Sequence, residues 1–143
     1  MCYNYDMKLK HIPAAYRVTV KGLVRDNTGR LLFVRERGGA WDLPGGGLEH
    51  GEGLEQALRR EFREEIQAEI ETLPTAPVII PTWHSKFDDP VLIIAFEVTL
   101  LGEPQASEET EELAYLHPQD IAPDQLDSTL IDKLAALICD INQ

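Results

Sequence analysis

Residues Gly45–Ile70 read GGGLEHGEGLEQALRREFREEIQAEI. A glycine turn opens the stretch, and its spacing predicts a helix from about Gly53 to Ala68. With Glu61 set at zero and roughly 100° per residue, Ala57 falls at about −40°, Leu54 at about 20°, Leu58 at about 60°, Phe62 at about 100° and Ile66 at about 140°. Glu61 and Glu65 lie inside this apolar arc, and Glu64 lies at its edge. An ionised carboxylate is costly to desolvate unless something pairs with it. Glutamates on the inward face of a helix therefore point to a cation; the plainer alternative is a solvated acidic face.

The rest of the chain sets bounds on that reading. At 143 residues it has the size of one domain with a real core, expected over 1–143 with a loose lead over 1–14. The formal net charge is −12, which opposes a general affinity for nucleic-acid backbones, since counterion release needs basic patches. An anionic substrate has to be met by local arginines or by metal. Cys2 and Cys139 form neither a metal spacing nor a disulfide framework, so free thiols in a reducing cytoplasm are expected. There is no apolar h-region at the N-terminus and no apolar run of the ~18 residues a bilayer requires.

Arg17 to Arg25 reads as a strand, with Val18, Val20, Gly22 and Val24 on one face and Arg17, Thr19 and Lys21 on the other. Asp26-Asn27-Thr28-Gly29 is a hairpin signal, followed by a return strand from Arg30 to Arg37. Trp41 to Leu43 is a short strand stopped by Pro44. Beyond the helix, strands are expected at 78–80, 91–101 and 113–116, with a polar aromatic loop over 83–90 and an acidic loop over 105–112. An amphipathic helix over about 128–141 closes the chain, its stripe formed by Leu130, Leu134, Leu137, Ile138 and Ile141. The pattern is α/β, a mixed sheet between helices.

Gly46, Glu52, Arg60, Glu61, Glu64 and Glu65 fall in register on a glycine, five residues, a glutamate, seven residues, then Arg-Glu-apolar-x-Glu-Glu. This resembles the signature of the Nudix hydrolases, and the lead-in from Leu31 to Arg35 and from Trp41 to Gly46 is similar to that family's approach to it. Gln67 departs from the pattern, which has glycine there. A left-handed Gln67 would cost about 1 kcal/mol; the alternative is a helix that runs on.

The resemblance implies an α/β/α sandwich and hydrolysis of a diphosphate linkage in a nucleoside diphosphate derivative, with Mg²⁺ or Mn²⁺ as cofactor. A nucleoside triphosphate pyrophosphatase is the first expectation. ADP-ribose or a nucleotide sugar is the rival substrate, and a non-catalytic nucleotide-binding regulatory module the rival class. It also implies metal ligation by Gly46, Glu61, Glu64 and Glu65, a base at Glu61 or Glu65, and Arg60 paired with a neighbouring glutamate such as Glu64. Glu52 would brace the loop onto the helix. In this family a further loop glutamate often joins the metals, and Glu108 and Glu109 are the candidates here. Arg35 and Arg37, at the end of the return strand, are candidate phosphate contacts, and Trp83, His84 and Phe87 could stack a base. The partner expected is a small nucleotide, with no nucleic acid and no membrane; dimers are common in such families.

Overall fold

The computed structural model describes residues 15–141, without the side chains of 139–141. The expected lead over 1–14, Cys2 and the side chain of Cys139 lie outside the described residues. Strand β1 (Arg17–Leu23) starts the fold, followed by β2 (Leu31–Arg35), β3 (Trp41–Asp42) and β4 (Gly45–Gly47). Helix α1 (Leu54–Ile66) leads to β5 (Glu69–Thr72), β6 (Val78–His84), β7 (Asp89–Glu97), β8 (Thr99–Leu101) and β9 (Glu112–Leu116), and α2 (Leu134–Ile141) ends the description. One sheet runs β4-β1-β7-β6, parallel between β1 and β7 and antiparallel elsewhere. A second runs β3-β2-β9, and β5 pairs with β8. Among the described residues, no helix is long and apolar enough to cross a membrane.

Alternation along the strands divides the core in two. Val20, Leu32, Val34 and Ile94 meet Leu58, Phe62 and Ile66 of α1. Leu31, Phe33, Ile93 and Ala95 meet Leu134 and Leu137 of α2 on the other side. This is the α/β/α arrangement. Each large side chain fully buried here contributes roughly 1.5–3 kcal/mol. The glycine in β1 has a packing cause: a Cβ on Gly22 would overlap the Phe62 ring. Gly22→Ala is expected to destabilise the fold by about 1–3 kcal/mol through overpacking, measured by urea unfolding; an unchanged midpoint would show that α1 yields freely.

Several elements differ from the sequence reading. The hairpin turn is present, with Gly29 at φ 84°, but β1 and β2 then diverge into separate sheets, joined by Leu32 N–H donating to Val24 O. The expected strand over 91–101 ends at Glu97. Val98 turns inward, donating its N–H to Leu23 O, and β8 leaves to pair with β5. β5 was not anticipated because only Ile70 in it is buried. β6 runs through Pro81 to His84, where a loop was expected. It is an edge strand, the position at which a missing N–H is tolerated. The last helix begins six residues late. Asp127 Oδ1 accepts from Thr129 N and Oγ1, and this local turn replaces the first helical turns. Helix α1 stops at Ile66, and Gln67 keeps the left-handed conformation at φ 52°, ψ 37°. Its side-chain amide donates to Ala106 O at 2.6 Å, which offsets part of the backbone cost.

Candidate active site

Strand β4 and helix α1 build the site together. β4 is three glycines laid antiparallel on β1, with Gly45 opposite Lys21, Gly46 opposite Val20 and Gly47 opposite Thr19. At Gly45 and Gly46 the absence of a side chain is required. A Cβ on Gly46 would lie 2.6 Å from the Glu61 carboxylate, so the helix presses this carboxylate onto the strand backbone. Gly45, at φ 131°, leaves no room for a Cβ against Val20 O.

Arg60 is the hub that fixes loop to helix. Its Nη2 donates to Glu52 Oε1 at 2.7 Å and its Nε to Glu52 Oε2 at 3.0 Å, a two-pronged pair. The same guanidinium reaches Glu61 Oε1 at 2.9 Å, Glu64 Oε2 at 3.3 Å and the Gly47 carbonyl at 3.1 Å. Glu52 also accepts from Glu49 N–H. The Arg60 bonds hold the Glu52 carboxyl below its ordinary range, and Glu52 in turn raises Arg60. The expected pairing with Glu64 is therefore present but secondary; the two-pronged partner is Glu52.

Glu65 is set apart from this cluster. Half-buried, it accepts the Gly45 N–H at 3.3 Å and lines a cavity of about 580 Å³. Burial pushes its carboxyl up to about 8, against the opposing charge of Lys21. Lys21 is buried on β1, and its ammonium donates to Asp42 Oδ2 at 2.8 Å, Leu43 O at 3.2 Å and Gly45 O at 3.4 Å. Burial alone would lower it, but Asp42 and Glu65 hold it above its ordinary range. Burial also pushes the Glu61 carboxyl up, with Arg60 opposing.

The three helix glutamates follow the arc read from the sequence. Glu61 and Glu65 are half-buried, and Glu64 is exposed. They are not gathered on one point: Arg60 draws Glu61 and Glu64, and Gly45 draws Glu65. Among the described residues no group of three or more His, Cys, Asp or Glu side chains is close enough to hold a metal. The donors present are carboxylate oxygens and glycine carbonyls, the hard-oxygen set that suits Mg²⁺ or Mn²⁺. Arg60 takes one oxygen each of Glu61 and Glu64, which leaves the other oxygen of each carboxylate for a cation.

Other expected residues lie elsewhere. Arg35 bonds Glu112 at 2.5 Å and covers the Trp41 ring, and Arg37 is almost fully exposed near Glu111. Neither lines the cavity. Glu108 and Glu109 are exposed on the loop anchored by Gln105 N–H on Ile66 O. Trp83 is half exposed and sits in β6. His84 and Phe87 do face the cavity, their rings 4.6 Å apart. Lys21, Asp42 and Asp127 also line it and were not anticipated as site residues. A lysine inside the apolar run Val18–Val24 was a readable signal for Lys21; Asp127 carried none.

Comparison with known proteins places the family and the fold. The NUDIX domain family model matches residues 15–137. The nucleoside triphosphatase NudI of Escherichia fergusonii is 32% identical over 120 residues, covering 74% of this chain and 85% of that protein. The RNA pyrophosphohydrolase of Saccharophagus degradans is 43% identical over 63 residues, 41% of this chain, and that match spans only 37% of the relative's length. A NUDIX hydrolase structure from Nitrosomonas europaea superimposes with a TM-score of 0.71 at 22% identity, covering 90% of this chain and 89% of that one.

Proposed function

The chain belongs to the Nudix family, and from that premise we propose that it hydrolyses the diphosphate linkage of a nucleotide with the help of a divalent cation, a nucleoside triphosphate being the first substrate class. The observation that carries this reading is Glu61 and Glu65 half-buried against a side-chain-free β4, with Arg60 bracing the approach. Glu61, Glu64, Glu65 and the Gly46 carbonyl would hold Mg²⁺ or Mn²⁺. When bound, the cation supplies neutralisation of the diphosphate and a lowered pKa for the attacking water.

The chain's own groups do the rest. Glu65 faces the cavity and has one N–H donor, so it has free lone pairs with which to take the proton of the water. The water oxygen bonds to phosphorus, the bridging P–O bond breaks, and the bridging oxygen leaves on pyrophosphate or on the nucleoside monophosphate. Arg60 keeps Glu61 and Glu52 in place, and Lys21 fixes the Gly45 carbonyl beneath them.

The test is a Mg²⁺-dependent screen across nucleoside triphosphates, ADP-ribose, nucleotide sugars and 5′-triphosphorylated RNA, reading pyrophosphate from the triphosphates with inorganic pyrophosphatase and the newly exposed monophosphates of the other substrates with a coupled phosphatase. Turnover of at least one class is expected; silence across the whole panel would favour a binding module.

The half-buried Glu65 gives a second expectation. Its folded value lies above that of an unfolded glutamate, so between about pH 4.5 and 8 the native state binds the extra proton. Metal-free stability from this group is therefore present at low pH and lost as pH rises through about 8. Mg²⁺ competes with that proton. It should raise the melting temperature more near pH 8.5 than near pH 5.5. Equal shifts at both pH values would remove Glu65 from the metal site.

A further inference from the structure

In a chain of net charge −12, a cation left without a carboxylate is informative. Eight of the eleven lysines and arginines among the described residues face a carboxylate within ion-pair distance. Arg17, Lys86 and Lys133 do not, and two of these three, Arg17 and Lys86, line the same cavity as Glu65.

Their placement is complementary. Arg17, Thr19 and Lys21 alternate along β1, so all three project from one face of it. The charge of Lys21 is satisfied internally by Asp42 and two carbonyls. The Thr19 hydroxyl oxygen is shielded from solvent and has no hydrogen-bond partner among the described residues. Arg17 stands beyond it, about 13 Å from Lys21 along the strand. Its guanidinium reaches the glycine strand, since a Cβ on Gly47 would lie 3.7 Å from Nη2. Lys86 comes from the turn between β6 and β7, its ammonium 5.5 Å from the centre of the Phe87 ring.

The geometry points to Arg17, with Lys86 on the wall of the same cavity, as the residues that bind the phosphates of a nucleoside triphosphate beyond those a metal would neutralise, with Thr19 donating a hydrogen bond beside them. This rests on the proposed nucleotide chemistry of the site and deepens it, since it favours a polyphosphate over a substrate with a neutral sugar. It also moves the phosphate contact away from Arg35 and Arg37, whose side chains do not reach the cavity. A guanidinium with no carboxylate partner among the described residues suits this task, because charge-assisted bonds to phosphate are strong and directional.

The experiment compares equilibrium binding, by calorimetry with Mg²⁺, of a nucleoside triphosphate analogue carrying a methylene between the α and β phosphorus atoms and of the matching monophosphate. The wild type is expected to bind the analogue at least about tenfold tighter than the monophosphate. In R17A/K86A that gap narrows at least about fivefold, the remainder being what Mg²⁺ contributes, while affinity for the monophosphate changes little. R17K keeps part of the gap, and melting curves confirm that each variant is folded. An undiminished gap in the folded double variant overturns the assignment, as does a wild type that does not prefer the triphosphate. A gap that depends on Arg17 and Lys86 in a protein that turns over no nucleotide would uphold this assignment and defeat the catalytic reading.

Discussion

Glu65→Gln is expected to lower turnover by at least about a hundredfold with the fold intact, because it would remove both the proposed proton acceptor and a proposed metal-binding charge. Glutamine fills the same space and can still accept the Gly45 N–H, so β4 and α1 keep their contact. The variant also loses a carboxylate that burial pushes up to about 8. Its metal-free form should therefore be at least as stable as the wild type above neutral pH, and its melting temperature should respond less to Mg²⁺. Steady-state turnover and thermal melts with and without Mg²⁺ measure both. Near-wild-type turnover would remove Glu65 from the chemistry, and a collapsed fold would show that the carboxylate is structural.

Arg60→Ala is expected to cost about 3 kcal/mol of stability and at least about tenfold in turnover. The Glu52 side chain is 9% exposed and that of Glu61 16%, and both would lose their guanidinium partner. Removing one partner of a largely shielded pair leaves the other charge uncompensated, which costs more than the pair contributes. The Gly47 carbonyl loses a donor as well. Arg60→Lys should recover only part of the loss, since an ammonium cannot make the two-pronged bond to Glu52. Urea unfolding and initial rates on the best substrate would measure this. Stability within about 0.5 kcal/mol of wild type would reduce Arg60 to an ordinary surface pair.

How much of this was legible in the chain depended on whether a residue's role was local. The helix, its buried stripe and the inward placement of Glu61 and Glu65 follow from a period of 3.6 and needed no tertiary information. The glycine run was read as a turn; it is a strand, β4, paired with β1, and its cause, the Glu61 carboxylate pressed against Gly46, appears only in three dimensions. Arg60 was found by register, yet its chief partner, Glu52, lies eight residues back in the loop, outside helical spacing. β5 and the late start of α2 were missed because a single buried residue and a side-chain-backbone turn leave no periodic trace. Arg35 and Arg37 were placed at the site from strand direction alone. The structure instead gives Arg35 to Glu112 and Trp41 and leaves Arg17 and Lys86 at the cavity. Arg17 and Lys21 were assigned to the correct face of β1, but which strand lay opposite that face could not be read from the sequence.

The most direct test of the central claim is product analysis of a nucleoside triphosphate incubated with the protein and Mg²⁺. The account predicts nucleoside monophosphate and pyrophosphate in equal amounts, formed only with the divalent cation and lost in Glu65→Gln. Nucleoside diphosphate with orthophosphate, or cleavage that persists in the presence of excess chelator, would contradict it.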